Sequence, residues 1–194
     1  MKRLTTYLNE KLVVNKNYNP YTCAPASWDE LRKIIEDRYD KLGPGTEQKP
    51  IDFNDIDVSE MTTFHNVFKG TKFEYINISN WYAPKVEDMS YMFKNCKNLK
   101  SIGNLSNWNV SNVKKIIGVF DNCEQLESVG DLSNWNVSNI RDMQYTFYNC
   151  KNLKSVGDLN KWDISNACVI SWMFAHSGIT NIPNRYKEWH NKYA

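Results

Sequence analysis

Large apolar side chains recur at a fixed interval along most of this chain, with polar residues between them. The recurring positions, each 27 residues from the next, are Trp81, Trp108, Trp135 and Trp162; Phe93, Phe120, Phe147 and Phe174; and Cys96, Cys123 and Cys150. A constant period of this length is typical of a solenoid, in which one supersecondary unit stacks on copies of itself. We therefore predict a repeat array over residues 51–183, with atypical repeats at its two ends.

Within one repeat, the apolar spacing predicts a helix followed by a short strand. In the repeat at 104–130, Ser111 is the predicted N-cap of a helix that ends near Asn122. The predicted inward face of this helix consists of Val113, Ile116, Val119 and Phe120. Residues 126–129 are predicted to form a strand that pairs in parallel with the same strand one repeat away. The predicted fold class is an α/β repeat solenoid of about five rungs, each with a helix and a short parallel β-strand.

Helical caps are expected at both ends, because a solenoid needs terminal elements that cover its open core. Residues 1–50 are predicted as an N-terminal helical segment and cap, with a short amphipathic helix at 1–13. A second helix opens with a capping box at Ser27 and Glu30. The apolar stripe of that helix would be Leu31, Ile34, Ile35 and Leu42. Residues 184–194 are predicted as a C-terminal cap helix over the last repeat, the alternative being an exposed apolar patch for a partner. The covered residues would be Val169, Ile170 and Trp172.

Composition narrows the classes of partner and cofactor. The net charge is +2 and no basic stripe is present, so we expect no nucleic-acid partner. No apolar run reaches the roughly 18 residues of a membrane span, so we expect no membrane insertion. The N-terminus lacks the apolar core of a secretory signal, which favours a cytoplasmic location. The five cysteines and three scattered histidines match neither a disulfide framework nor a zinc site, so no metal and no cofactor is predicted.

The recurring tryptophans and cysteines each allow a functional and a packing interpretation. Exposed indole rings could stack on sugars, and neighbouring thiols could hold a metal ion. In the first repeat, however, Ile56 takes the tryptophan position and Thr71 the cysteine position, which favours buried side chains at both. Phosphate-binding loops and the H-E-x-x-H and G-x-S-x-G motifs are absent, so the prediction is a protein that is not an enzyme, with no catalytic residue.

Charges alternate in sign between equivalent positions of successive repeats. The pairs are Glu87 and Lys114, Asp88 and Lys115, Lys97 and Glu124, and Lys100 and Glu127, with Arg141 as the exception because it keeps the sign of Lys114. Opposite charges on neighbouring strands are favourable by roughly 0.2–1 kcal/mol, so the alternation favours stacking in register. The outward residues of the predicted strands form a candidate partner-binding face. They are Tyr75, Lys100, Ser101, Asn104, Glu127, Ser128, Asp131, Lys154, Ser155 and Asp158.

One stretch carries the clearest family resemblance: LSNWNVSNIRDMQYTFYNCKNLKSVGDL. It resembles the BspA-type leucine-rich repeat of bacterial surface proteins, with W-x-V-S before the predicted helix, a paired Met or Val and Phe within it, then Cys and a short L-x-x-V strand. The match covers about residues 51–183. The resemblance implies a leucine-rich-repeat-like solenoid with adhesion or protein-binding roles, although no secretion signal or anchor accompanies it here. The family is common in gut bacteria and recurs in gut bacteriophage genomes.

The first residues carry a second resemblance: MKRLTTYLNEKL is similar to the amphipathic leader of some internal head proteins of tailed phages. Three function hypotheses result. The first is a non-enzymatic scaffold that binds another protein, of unknown identity and with an unknown oligomeric state. The second is a structural or packaged component of a phage particle, docked through Leu4, Tyr7 and Leu8. The third, ranked lower, is a glycan-binding or adhesion module.

Overall fold

The computed structural model describes residues 21–187 and contains little regular secondary structure there. One helix, α1, spans Trp28–Leu42, and two short strands, β1 (Ile51–Asp52) and β2 (Ile76–Asn77), pair in parallel. A single 3-10 turn covers Leu159–Lys161, and residues 184–187 are helical. The remainder of the described chain is built from turns that are bonded to the neighbouring repeats.

Residues one repeat apart lie side by side. Two sets of isolated parallel bridges join the backbones of successive repeats. The first set links Thr63, Asp88, Lys115, Asp142 and Val169 in succession, and the second links Tyr75, Ser101 and Ser128. The repeats in this part of the chain are therefore stacked in parallel and in register.

The helix predicted in each repeat is wrong. Residues 111–122 form consecutive turns, and their N–H groups do not bond the carbonyls four residues earlier that define an α-helix. Alternate N–H groups instead donate to carbonyls of the next repeat, with nitrogen–oxygen distances of 2.8–3.0 Å. These bonds join Ile116 to Asp142, Gly118 to Gln144, Phe120 to Thr146 and Asn122 to Tyr148. The polar backbone of this segment is therefore satisfied between repeats.

A left-handed backbone conformation at two positions of each repeat from residue 77 onward, four residues apart, explains why no helix forms. The residues concerned have φ between 53° and 63°, and a right-handed helix cannot continue through that conformation. They are Tyr91 and Asn95, Gly118 and Asn122, Tyr145 and Asn149, and Trp172 and His176. Bulky side chains such as tyrosine and tryptophan are uncommon in this conformation, so it could not be predicted from the residue types at these positions.

The predicted strand at 126–129 is shorter than expected. Ser128 makes one bridge, to Ser101, instead of a strand of four residues. A turn closed by the Leu126 N–H on the Cys123 carbonyl precedes it, and Gly130 follows with a φ of 85°. The short interval between this turn and Gly130 leaves room for a single extended pair.

A column of phenylalanine rings runs through the centre of the stack. Neighbouring rings are nearly parallel, with centroids 5.0–5.7 Å apart and interplanar angles of 7–15°. The column consists of Phe68, Phe93, Phe120, Phe147 and Phe174. Rings in contact at such distances contribute stabilisation beyond the apolar area that they bury. This column is the central part of the core.

The four recurring tryptophans are core residues, as the packing interpretation predicts. Each is 8% exposed or less, and each indole N–H donates to a backbone carbonyl of the repeat before it. The four bonds, of 2.8–3.1 Å, join Trp81 to Phe53, Trp108 to Ile78, Trp135 to Leu105 and Trp162 to Leu132. Such buried N–H groups must find an acceptor, and the carbonyl one repeat earlier supplies it.

The three recurring cysteines are buried in the same way. Each has an exposed fraction of 0%, and each thiol lies 3.0 Å from a carbonyl oxygen of the preceding repeat. The pairs are Cys96 with Phe68, Cys123 with Phe93 and Cys150 with Phe120. The burial of these three side chains confirms the packing interpretation of this ladder.

The N-terminal cap predicted at Ser27 is present as helix α1. The Ser27 hydroxyl accepts the Glu30 N–H at 3.2 Å, whereas the Glu30 carboxylate accepts from Ala26 and not from Ser27. Leu31 and Ile35 are fully buried, but Leu42, predicted on the same stripe, is 61% exposed. Tyr39 packs edge-on against Phe73 near the end of α1, with ring centroids 5.1 Å apart, so the buried face turns away from Leu42.

Two side chains of α1 bond the carbonyls at the open end of the first repeat. Inside the stack, the carbonyls of Ser90, Met92 and Lys94 accept N–H groups from the repeat before them. No repeat precedes the first, and there the indole of Trp28 donates to the His65 carbonyl at 2.6 Å. The guanidinium of Arg32 donates to the carbonyls of Asn66, Val67 and Lys69 at 3.0–3.2 Å. Helix α1 therefore replaces the hydrogen-bond donors of a missing repeat.

The opposite end has a related arrangement. The Leu159 carbonyl corresponds to those that accept an indole N–H in the repeats before it. It accepts from the Tyr186 hydroxyl at 3.2 Å and from the Arg185 guanidinium at 2.6 Å. Tyr186 also packs edge-on against Phe174, with ring centroids 5.6 Å apart. It lines a groove with Ile170 and Trp172, two of the three residues that the predicted cap was expected to cover.

One hydrophobic cluster runs from Leu31 in α1 to Tyr186. The division of the chain into 1–50, 51–183 and 184–194 stays a prediction. The short helix predicted at 1–13, and the part of the C-terminal cap beyond Lys187, lie outside the described residues.

Candidate interaction surface

The residues predicted to form a partner-binding face lie along one side of the stack. The second set of bridges places Tyr75, Ser101 and Ser128 in neighbouring repeats. Three of the predicted residues are half-buried, namely Tyr75, Lys100 and Ser101. The other seven are exposed: Asn104, Glu127, Ser128, Asp131, Lys154, Ser155 and Asp158. We call these ten residues the strand face.

Charge pairs cross the strand face from one repeat to the next. The Lys100 ammonium lies 2.8 Å from the Glu74 carboxylate and 5.4 Å from the centre of the Tyr75 ring. The hydrogen bond that Lys100 donates to the Glu74 carboxylate raises the pKa of Lys100. Lys100 thus pairs with Glu74 rather than with Glu127, and Lys154 donates to the Lys151 carbonyl at 3.2 Å.

The other alternating positions give a mixed result. The predicted pair Glu87 and Lys114 is present at 2.7 Å. Glu124 has a lysine at the equivalent position on either side, Lys97 in the repeat before and Lys151 in the repeat after. It pairs with Lys151, at 2.6 Å. Asp88 and Lys115 are partners in a backbone bridge. Exposed pairs of this kind contribute about 0–1 kcal/mol, so they select the register more than they hold the fold.

Three strand-face residues also hold the corners between repeats. The carboxylate or amide oxygen of Asn104, Asp131 and Asp158 accepts the N–H two residues further along, at 2.9–3.0 Å. The hydroxyl of Ser133 also donates to Asp131, and this bond lowers the pKa of the Asp131 carboxyl. Asx turns of this type fix the local chain direction, so these side chains serve the fold as well as the surface.

A groove on another part of the stack holds residues that were not predicted as a site. It has a volume of about 480 Å³ and is lined by Glu87, Asn112, Lys114, Asn139, Arg141, Asn166 and Cys168. The signal that could have identified it is the recurrence of asparagine at one position in three successive repeats. The break in charge alternation at Arg141 is a second signal. We call it the asparagine groove.

Residues 21–187 contain no cluster of side chains suited to metal binding, and the recurring thiols are not suited to redox chemistry. No group of three or more histidine, cysteine, aspartate or glutamate side chains is arranged there to hold a metal ion. Burial raises the pKa of the Cys123 thiol well above its ordinary value, and burial raises the pKa of Cys150 as well. A buried thiol that stays protonated is a poor nucleophile and a poor ligand.

Thiol reactivity should separate the cysteines accordingly. In the native protein we expect the exposed Cys168 to react rapidly with an aromatic disulfide reagent, and half-buried Cys23 more slowly. The other three thiols should react only after urea unfolding. Time-resolved thiol counting with and without urea makes the measurement, and C168S is the control that should lose only the fast phase. Rapid labelling of Cys123 in the folded protein would contradict the buried ladder.

The predicted docking helix cannot be placed, because Leu4, Tyr7 and Leu8 lie outside the described residues. Within residues 21–187, no helix has both the length and the apolar character needed to cross a membrane.

Stacked, in-register turns around a continuous column of phenylalanine rings define a repeat protein. A family model described as "Mycoplasma protein of unknown function, DUF285" matches residues 62–189, which is well over half of the chain. The chain therefore belongs to this family. No curated protein matches the sequence.

One solved structure is similar over part of its length. It is a leucine-rich repeat protein from Eubacterium ventriosum, with 21% sequence identity and a TM-score of 0.36. The similarity covers 61% of this chain and 34% of that one, so the chain spans about a third of the length of the protein it matches. The closer assignment to BspA-type repeats, and the origin from a bacteriophage or a gut bacterium, stay predictions.

Proposed function

We propose that this chain is a non-enzymatic scaffold that binds another protein through the strand face. The observation that carries the proposal is the contrast between the inside and the outside of the stack. The positions that repeat most regularly, occupied by tryptophan, phenylalanine and cysteine, are used for packing. Along the strand face the charge instead changes sign from Lys100 to Glu127 and again to Lys154, and Glu74, beside this face, continues the alternation. Such variation on a regular scaffold can encode the recognition of one partner.

The arrangement also suits recognition energetically. The bridges between Tyr75, Ser101 and Ser128 hold neighbouring side chains in fixed relative positions. A preorganised surface loses less conformational entropy on binding than a flexible one. Aromatic residues are enriched at protein interfaces, and Tyr75 supplies one at the edge of this face.

The other two hypotheses receive no support from the described residues. A glycan-binding site built on stacked tryptophans would need exposed rings, and the four tryptophans are buried. Packaging in a phage particle through Leu4, Tyr7 and Leu8 involves residues outside the described part. A location in the cytoplasm or within a phage particle remains part of the proposal.

Site-specific photo-crosslinking in cells that naturally make the protein tests the strand face. A photoreactive phenylalanine analogue replaces Ser128 in one variant and Lys115, on the other set of bridges, in a matched control. We expect one discrete crosslinked product from position 128 that disappears when K100E and E127K are added. Crosslinking at position 115 alone, or no product at either position, would overturn the proposed contact surface.

A further inference from the structure

The asparagine groove has a row of amide side chains with a defined orientation. Each side-chain amide N–H donates to a backbone carbonyl of the repeat before it, at 2.7–2.8 Å. The pairs are Asn112 with Pro84, Asn139 with Ser111 and Asn166 with Ser138. Because the nitrogen of each amide is held by the backbone, its oxygen is left as a hydrogen-bond acceptor for a ligand. The three oxygens recur once per repeat along the groove.

Beside this row runs a column of residues with a cationic centre. Equivalent positions of successive repeats hold Glu87, Lys114, Arg141 and Cys168. The backbone N–H of each of the last three donates to the carbonyl of the preceding member, at 2.7–2.9 Å. Lys114 is neutralised by Glu87 at 2.7 Å. Among residues 21–187, Arg141 has neither an ion pair nor a hydrogen bond from its guanidinium group.

The sign of Arg141 is unfavourable for stacking. Alternation would place an acidic residue there, as it does at Asp142 opposite Lys115. Instead a second cation follows Lys114 directly, and like charges in neighbouring positions destabilise a sheet-like stack. A guanidinium group that is exposed in a groove and gains nothing from its neighbours is suited to a ligand carboxylate, which it can bind through two parallel hydrogen bonds.

We propose that the asparagine groove binds an acidic segment of a partner protein. An aspartate or glutamate side chain of that segment accepts hydrogen bonds from Arg141, whose charge, unlike that of Lys114, is not neutralised by a neighbouring carboxylate. Neighbouring backbone N–H groups of the segment donate to the amide oxygens of Asn139 and Asn166. The groove volume of about 480 Å³ falls in the range of pockets that hold small ligands or a few side chains. The groove lining contains no aromatic ring on which a base or a sugar could stack.

This inference rests on the proposed scaffold function and adds a second contact with a defined chemistry. The strand face and the asparagine groove involve different residues, so either contact can be tested without the other. A partner that uses both would contact the stack on two sides of the same repeats.

Fluorescence anisotropy with a defined peptide provides the test. The probe is a fluorescein-labelled peptide of alternating glutamate and glycine, and its control is the same peptide with glutamine in place of glutamate. We expect binding of the glutamate peptide that weakens as salt is raised, and no binding of the glutamine peptide. R141E should weaken binding by about tenfold or more, because a charge-assisted hydrogen bond is replaced by repulsion. R141K should fall between, since lysine cannot make the bidentate contact.

The matched control is K154E, which makes the same change of charge on the strand face. It should leave peptide binding within about twofold of the wild type. K154E and R141E have the same net charge, so a difference between them reports the position of the substitution and not the overall charge. R141E should also melt at the same or a higher temperature than the wild type, because it places an acidic residue next to Lys114. A loss of binding through misfolding is thereby distinguished from a loss of the contact.

Three results would overturn the inference. They are equal binding of the glutamate and glutamine peptides, equal weakening by R141E and K154E, and tighter binding of an oligogalacturonate, which would assign the groove to acidic sugars. If one of these results is obtained while the crosslink at Ser128 still forms, the groove fails and the scaffold function stands. Peptide binding without any crosslinking at Ser128 would show the reverse.

Discussion

Replacing Phe120 with alanine is expected to lower the free energy of unfolding by about 3–5 kcal/mol. Phe120 is 1% exposed and lies between two parallel rings, 5.6 Å from Phe93 and 5.7 Å from Phe147. Its loss would open a cavity in the middle of the column that neighbouring rings cannot fill without breaking the bonds between repeats. Urea unfolding followed by tryptophan fluorescence measures the change.

Phe174 supplies the matched control for this substitution. It ends the same column and is only partly buried, with one parallel neighbour, Phe147. F174A should therefore cost clearly less than F120A, because the end of the stack can relax around the missing ring. Equal losses for the two variants would show that the column is not the centre of stability.

Replacing Arg32 with methionine should lower the free energy of unfolding by about 2–3 kcal/mol. Methionine keeps the apolar stem of the side chain but removes the guanidinium group, which bonds the carbonyls of Asn66, Val67 and Lys69. Without the guanidinium group these carbonyl oxygens stay partly shielded from water but have no hydrogen-bond donor, and this accounts for most of the lost stability. Hydrogen exchange of the first repeat, together with thermal unfolding, is the measurement.

The exposed neighbour Lys33 serves as the control for Arg32, because it lies on the same helix without such contacts. K33M should be nearly neutral, and it keeps the change in net charge the same. Hydrogen exchange should accelerate first in residues 64–70 of R32M, the segment that α1 covers. If both variants lose the same stability, α1 caps the stack by apolar contact alone.

The inward residues of each repeat could be predicted from the sequence, but the backbone that carries them could not. Val113, Ile116, Val119 and Phe120 are all buried as predicted. Successive turns of three to four residues place apolar side chains on one side with nearly the same spacing as a helix, so periodicity alone does not distinguish the two. The distinguishing feature is the conformation at positions such as Tyr145, where no glycine marks the positive φ.

The ends of the stack illustrate the same division. The capping role of the helix after Ser27 followed from its apolar stripe and its N-cap, and the structure confirms both in most respects. That Trp28 and Arg32 replace missing N–H donors could not be predicted, because the need for donors arises only when the stack is known to bond through its turns. A helix-based solenoid would have had no such open carbonyls.

The sequence was sufficient to predict which residues of the candidate surface lie side by side, but not which charged residues pair with one another. A constant period places equivalent residues side by side, which is why Ser101 and Ser128 were expected together. The period does not determine which of two flanking charged residues a side chain pairs with, and Lys100 forms its ion pair with Glu74. The asparagine groove was not predicted, because the period alone does not show that these amides bond to the repeat before.

The indole and thiol ladders have a consequence for how such a protein can change its length. Each repeat between residues 77 and 157 carries its own N–H and S–H donors, and their acceptors are carbonyls of the preceding repeat, as for Trp135 and Cys150. A gene that gains or loses one whole unit of 27 residues would therefore preserve each of these bonds. Any other insertion within a repeat would turn buried columns toward water. Unequal recombination between repeats could thus alter the number of surface positions available for recognition while leaving the interior chemistry unchanged.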